Sequence, residues 1–594
     1  MRSLQLRDRW VLVVLALYVA TQCWGALWDL PGSHSWENDG IAPREVFTGL
    51  AANLTPGHAH RYPLFHYLLS LLAALPVLVI VPFVSPSLAR ADLLATAQAT
   101  WPMTGVSLAV KALAIAASVV TLLALGRFAR RASGATTARW AVTFAALNLS
   151  LSYYGRSSNL DGPYLMWIAL ALERLSAFMT SPAPGQDSRI AVYCALAVAT
   201  KDQAYALALP LLFAMCLHSW CDLRGPDATH RFLLRTGRLA GTFVGAYALA
   251  SGALVNPSGF VARVRLLSGP NSQDWKVYES TARGALLNLT DILRQLDTWW
   301  WPWPVLVLAA LGLCKGLAFG ALRRRLLCAL PLALMVCNLV LFTLVVGRAE
   351  HRFLLPSALA ASFYAGCGAR AVLQRMHRAS RIERYSLQLV LGLAVTLAAH
   401  LTSRLLFTQH ADARADVSAW LSALPEGTRV EAYGLPVYLP HFDTTPTAPY
   451  RVTRVTAPGS RKPAALIGVE EQRDLLSGVS ERGPDVLIIA EPYVRRFRAR
   501  SLRPGERMSR QDQRAQTDLD ATRFFRSAVA DRLAGYRLHW VATAHLPDWL
   551  TWLGSRGVEI HGSTNQRMWV LVRNGALGQR YDPVASNGVG ASLR

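Results

Sequence analysis

The sequence predicts an α-helical polytopic membrane protein with a C-terminal external α/β domain. Three observations carry this expectation. Of 594 residues, 52% are drawn from AVILMFWYC and only 16% are charged, whereas soluble domains carry about 25% charged residues. Apolar runs long enough to approach the roughly 20 residues needed to cross a bilayer recur from the N-terminus to about residue 406. The remainder, 407–594, is hydrophilic and reads as a separate fold. One large soluble enzyme, a disordered chain and a fibrous protein are excluded on these grounds, and no period of 20–50 residues points to a solenoid.

The first apolar run, 10–28, follows Arg2, Arg7 and Arg9. It has the charge and length of a signal peptide, but no small-x-small cleavage pattern closes it, so it reads as an uncleaved span. Ten further spans are expected at 103–125, 139–155, 162–179, 190–201, 203–220, 238–255, 302–319, 326–346, 353–369 and 385–406, giving about eleven. The pair 190–201 and 203–220 is short and requires a tight turn at Lys201-Asp202. The run 64–84 holds Pro76 and Pro82 and is expected to be re-entrant or interfacial. The reason is charge. Basic loops belong on the cytoplasmic side, and Arg127, Arg130, Arg131 and Arg139 fall there only if 64–84 does not cross. Residues 29–102 then form one long external loop, and 155–161, the Lys201 turn, 256–300, 347–352 and the C-terminal domain share its side. The expected organisation is a transmembrane domain over 1–406 and a soluble external domain over 407–594. In the latter, β-rich runs appear at 429–433, 485–489, 537–544 and 568–572, with helices near 411–424 and 514–533.

Lys and Arg outnumber Asp and Glu 61 to 37, a net charge of +24. Membrane-surface charge explains this; no basic-aromatic module or finger spacing suggests nucleic acid. The eight cysteines lie in or beside apolar segments with no CxxC pair, which suits neither a disulfide framework nor a zinc site.

A carboxylate at a membrane boundary is costly unless it is paired or functional. Two stand there: Asp39 in Ser35-Trp-Glu-Asn-Asp-Gly40, and Asp161 in Tyr153-Tyr-Gly-Arg-Ser-Ser-Asn-Leu-Asp-Gly-Pro163. A plain loop residue is the alternative for Asp39, and a helix cap is the alternative for Asp161. Cations on the same side are Arg61, Lys201, Arg348 and Arg352. Acids for proton abstraction and cations for a phosphate suit a phosphorylated lipid substrate. A salt bridge to Asp202 is the alternative for Lys201, and interfacial snorkelling for Arg348 and Arg352. Lys111 sits within a span, where pairing or snorkelling explains it. His58, His60 and His66 are weak metal candidates, and Glu37, Tyr62, His58 and His60 are candidate supporting residues.

These motifs occur in a recognisable order: an external Asp after the first span, a Tyr-Pro segment opening an apolar helix, a Tyr-x-Arg turn ending in Leu-Asp, a Thr-Lys turn, and Arg-Phe-Leu-Leu-Pro. The order resembles the GT-C membrane glycosyltransferases. It is similar to bacterial relatives of protein O-mannosyltransferases (glycosyltransferase family 39) and to lipid A aminoarabinose transferases, over about residues 10–405. The resemblance implies an inverting transfer of a sugar from a polyprenyl-phosphate donor to an acceptor hydroxyl, on a glycan, lipid or protein, at the outer face of a bacterial inner membrane, with the N-terminus cytoplasmic. It makes Asp39 the base, Asp161 a second site acid, Arg61 and Lys201 donor-phosphate ligands, and 256–300 a lid. Gly40 stands where the family often has a second acid. No cofactor is required, although a divalent ion stays an open alternative. A lipid or solute transporter and a non-catalytic envelope scaffold are the competing functions; the first lacks the inverted repeats expected of it.

Overall fold

The computed structural model describes all residues except 1–7, 33, 42, 59–61, 223–226, 270–274, 296–300, 319, 446, 459–464, 499–501, 509, 553–557, 561–562 and 578–594. The chain divides into two compact units, one of Met1–Leu27, Arg44–Ile80 and Gly105–Ser403, the other of Trp28–Pro43, Val81–Thr104 and Arg404–Arg594.

The helices run in order α1 Arg9–Ala26, α2 Pro43–Leu54, α3 Leu64–Val84, α4 Arg90–Gln98, α5 Thr100–Ser133, α6 Ala135–Ala146, α7 Leu149–Tyr154, α8 Asp161–Thr180, α9 Gln186–Thr200, α10 Tyr205–Asp222, α11 Ala228–Ser251, α12 Pro257–Ser268, α13 Ala282–Gln295, α14 Trp303–Ala318, α15 Leu322–Asn338, α16 Leu355–Met376 and α17 Arg381–His410. Among the described residues, six helical stretches are long and apolar enough to cross a membrane: Arg9–Ala26, Leu64–Val84, Thr100–Ser133, Asp202–Cys221, Leu322–Val346 and Arg381–Ser422. The chain is a multi-pass membrane protein. Other expected spans are shorter, broken or more charged. The run 139–155 is split where Asn148 caps α7, its side chain accepting from Leu151 N at 2.8 Å. Helix α8 carries Asp161, Glu173 and Arg174. Helix α3 continues through Pro76 and Pro82 for 21 residues, about 32 Å at the α-helical rise, so by length it suffices to cross.

Within the first unit, α14 and α16 pack backbone to backbone. A Cβ on Gly312 would lie 1.9 Å from the Tyr364 carbonyl oxygen, and one on Gly368 would lie 2.0 Å from that of Leu308. Small residues serve this purpose between membrane helices, where packing drives association. Gly368→Val is expected to cost about 1–3 kcal/mol or more, read as a lower melting midpoint of the detergent-solubilised chain. An unchanged midpoint would show that the helices part freely.

In the second unit, strands β1 Thr428–Tyr433, β2 Tyr450–Thr456, β3 Glu470–Arg473, β4 Val486–Ala490, β5 Tyr536–Thr543 and β6 Arg567–Arg573 form one sheet in the order β3-β2-β1-β4-β6-β5. The first four are parallel, and β6 and β5 turn antiparallel. Alternate residues of β4 enter two cores: Leu487 and Ile489 pack with Phe524 and Phe525, Val486 and Ile488 with Val417 and Leu421. Helix α18 (Ala413–Ser422) covers one face and α19 (Leu519–Val529) the other. Burial on both faces explains the unbroken apolar run Val-Leu-Ile-Ile-Ala.

Candidate active site

In the first unit, Asp161 opens α8 and is fully buried. A carboxylate there is favoured by the helix N-terminus, and the backbone N–H of Asp161 donates to Asn159 Oδ1 at 3.1 Å. Lys201 ends α9 in an extended conformation (φ −149°, ψ 121°) and places Nζ 2.6 Å from both Asp161 oxygens. Gln203 Nε2 donates to the same carboxylate at 3.3 Å. The expected tight turn is therefore present, but its chemistry differs. Lys201 turns to Asp161; Asp202 starts the following 3-10 turn and is paired with the buried Arg263 at 3.1 Å, with the Lys201 charge also acting on it.

Arg348 and Arg352 reach the same neighbourhood. Helix α15 gives way to a five-residue π turn, Leu339–Thr343, a feature that recurs at functional sites. Asn338 Nδ2 donates to the Phe353 carbonyl at 2.7 Å, and Tyr205 Oη to that of Leu341 at 2.5 Å. The chain then turns at Gly347 with φ 65°. Beyond it, Glu350 takes Arg348 at 3.1 Å and Arg352 at 2.6 Å. The Tyr154 ring lies within electrostatic range of Asp161, Glu350 and Arg352 together. The cluster so formed, with Asp202 and Arg263 bordering Lys201, holds four cations against three carboxylates among its described members.

The segment expected to act as a lid is described in part. Val277 N and Tyr278 N both donate to the Gly347 carbonyl at 3.0 Å, so the segment docks on the turn that carries Arg348. Asn256, also in it, donates through Nδ2 to the carbonyls of Asn53, Thr55 and His58 at 2.8–3.2 Å. That bond fixes the approach to His58 and Tyr62. The His58 ring is exposed and meets the Pro56 carbonyl at 3.3 Å, while Tyr62 is buried. Arg61 and His60 lie outside the described residues. His66 is buried on α3. Among the described residues no group of three or more His, Cys, Asp and Glu could hold a metal ion. Lys111 is buried, its Nζ donating to the Ala26 carbonyl at 3.2 Å.

Asp39 belongs to the second unit. It is half-buried and lies in the left-handed region with φ 61°, inside a turn closed by Gly40 N donating to the Glu37 carbonyl at 3.2 Å. Glu37 itself is buried. Asn38 N donates to Ser563 Oγ at 2.7 Å. Earlier in the loop, Asp29 accepts from Ser35 Oγ at 2.9 Å and pairs with His441 Nε2 at 3.0 Å. The His441 ring stacks on Trp36 at 4.5 Å and meets His34 at 4.5 Å. Trp28 Nε1 donates to Asp412 Oδ2 at 3.0 Å. None of Asp29, Asp412, Arg414, His441 and Ser563 is singled out by the sequence. Nor are Gln203, Glu350 and Tyr154, although the last stands inside a motif that is.

Burial, reinforced by the charge of His441, pulls the His34 imidazole from its ordinary value down to about 3, against the opposing pull of Asp29 and the Leu439 carbonyl. An unfolded chain takes up this proton below about pH 6.5; the folded one refuses it until about pH 3. Stability is therefore intact above pH 6.5 and falls as acid is added through that window, by up to about 1.4 kcal/mol per pH unit. His34→Gln is expected to flatten the fall of the melting midpoint between pH 6.5 and 5. An equal slope in the variant would show that His34 is not the source of the loss.

No family model matches the chain, and no curated protein does. Solved structures similar to it include ArnT from Cupriavidus metallidurans in the apo state, with TM-score 0.47, 13% identity, and coverage of 82% of this chain and 94% of that one. The apo oligosaccharyltransferase of Archaeoglobus fulgidus gives 0.44 and 10%, covering 92% and 81%. The arabinofuranosyltransferase AftD from Mycobacteria gives 0.40 and 14%, covering 96% and 42%. Two of these names describe glycosyl-transferring enzymes, the kind of protein that the sequence motifs resemble. With TM-scores below 0.5, the likenesses assign no activity by themselves.

Proposed function

We propose that the chain is an integral-membrane glycosyltransferase that moves a sugar from a polyprenyl-phosphate donor to an acceptor hydroxyl, with inversion and with Asp39 as general base. The observation that carries the reading is the buried Asp161–Lys201 pair beside Arg348, Glu350 and Arg352. Ionisable groups sunk among apolar helices are costly and are retained where they work. An excess of cations suits a leaving phosphate.

In this reading Asp39 takes the acceptor proton as the hydroxyl oxygen bonds to the anomeric carbon. The bond from that carbon to the phosphate oxygen breaks, and the lipid phosphate leaves with the electron pair. Arg61, Lys201, Arg348 and Arg352 are assigned to the developing negative charge. Asp161 holds Lys201 ready for it, and Glu37 and Tyr62 support the site. The reading includes an outer-leaflet site in a bacterial inner membrane with the sheet-bearing part external.

The test is transfer by the purified full-length chain in liposomes. Labelled polyprenyl-phosphate sugars are supplied with a cell-envelope extract, and label is followed into lipid, glycan and protein fractions. Label leaving the donor only when the chain is present supports the proposal, and the labelled fraction identifies the acceptor class. Donors of several sugar types left intact, while the chain still binds polyprenyl phosphate, would overturn it in favour of transport.

A further inference from the structure

The Asp39 loop is held by residues about 370 to 530 positions further along the chain, and one guanidinium organises them. Arg414 is wholly buried. It forks onto Asp412, Nε to Oδ1 at 2.9 Å and Nη2 to Oδ2 at 2.6 Å. Its Cζ lies 4.3 Å from the Trp36 ring centroid and 5.6 Å from that of Trp28. Nη2 also donates to the carbonyl of Ser563, and Nη1 to that of Val437. Ser563 is buried, its own N–H donates to the Ile560 carbonyl at 2.7 Å, and its hydroxyl receives Asn38 N. Arg414 thus touches the Asp39 loop twice: directly at Trp36, three residues before Asp39, and through Ser563 at Asn38, one residue before it.

A side-chain-bearing residue in the left-handed region persists where its surroundings over-determine it. Asp39 is such a residue, and this network is what surrounds its approach. We infer that Arg414 and Ser563 are positioning residues for Asp39, so that the sheet-bearing unit sets the aim of the base. The inference rests on the reading of Asp39 as base. Arginine is suited to the place because only its planar fork can bind a carboxylate at two points and lie flat on indole rings at once. The bland alternative is that Arg414 and Asp412 merely secure the start of α18, where Asp412 Oδ1 also caps Arg414 N at 3.0 Å.

The test compares wild type, Ser563→Ala, Arg414→Lys and Asp39→Asn in the full chain, by amide exchange of the peptide 29–43 and by the transfer assay. Ser563→Ala removes the acceptor for Asn38 N without touching the Arg414–Asp412 fork. It is expected to speed exchange at Asn38 about tenfold. It should lower kcat about 10- to 100-fold with donor KM and melting midpoint unchanged. Arg414→Lys keeps the charge facing Asp412 but loses the fork, and should show faster exchange and a larger fall in kcat, with a lower melting midpoint as well. Unchanged kcat in both variants, or a lower kcat without faster exchange, overturns the positioning role. If Asp39→Asn stays active, the base reading falls instead, and the exchange data separately report whether the network holds the loop.

Discussion

Asp39→Asn is expected to lower kcat for sugar transfer by about 10²–10⁴-fold, the usual worth of a positioned general base. The change keeps the size of the side chain and its tolerance of the left-handed region, since Asn enters that region as readily as Asp. The turn closed by Gly40 on Glu37 and the bond from Asn38 to Ser563 use backbone N–H groups that the substitution does not alter. Insertion, melting midpoint and donor binding should therefore match wild type while turnover is lost. The measurement is single-turnover transfer at saturating donor over a range of pH. Wild type should transfer at full rate and the variant should lose turnover throughout. Retained full rate would remove Asp39 as base and leave Glu37 as the next acid to test.

The second large effect is expected at Asp161. Removing its carboxylate as Asp161→Ala leaves the Lys201 ammonium, only 10% exposed in its side chain, without its main counter-charge. Breaking a buried pair from one side costs about 3–5 kcal/mol, so the single variant should express poorly or melt early. The double variant Asp161→Leu/Lys201→Met replaces both charges by apolar groups and should recover most of that stability, because a buried pair adds little over a well-packed apolar one. The two variants separate architecture from chemistry. A double variant that folds but transfers no sugar places the pair in the reaction. One that folds and transfers at the wild-type rate makes the pair a structural bolt.

The legibility of the chain follows from where its signals are local. The run Val486–Ala490 announces a strand because both faces of β4 are buried, and each residue must be apolar. Strand β3, Glu-Glu-Gln-Arg, announces nothing: among the described residues it lies at the sheet edge beside β2, and it keeps the charged side chains that protect an edge. Strand β2 is hidden by its polar residues, Tyr-Arg-Val-Thr-Arg-Val-Thr, although it lies between two partners. The site behaves alike. Asp39, Asp161, Lys201, Arg348 and Arg352 are visible because charge beside apolar runs is conspicuous. Their partners are not. Sequence adjacency suggests Lys201 with Asp202, but the extended backbone at Lys201 sends its side chain to a residue 40 positions earlier. Arg414, one arginine among many in a strongly basic chain, stands out only when Trp36 and Ser563 are seen around it.

The π turn at Leu339–Thr343 carries one residue more than an α-helix would need for the same span. Everything after it is therefore out of phase with the helix before it, by about 100° of rotation. Winding the same residues as a continuous α-helix would keep every side chain of the site in the sequence, yet swing Gly347 and the arginines behind it toward another face. The winding of this stretch is thus as much a part of the site as its chemistry.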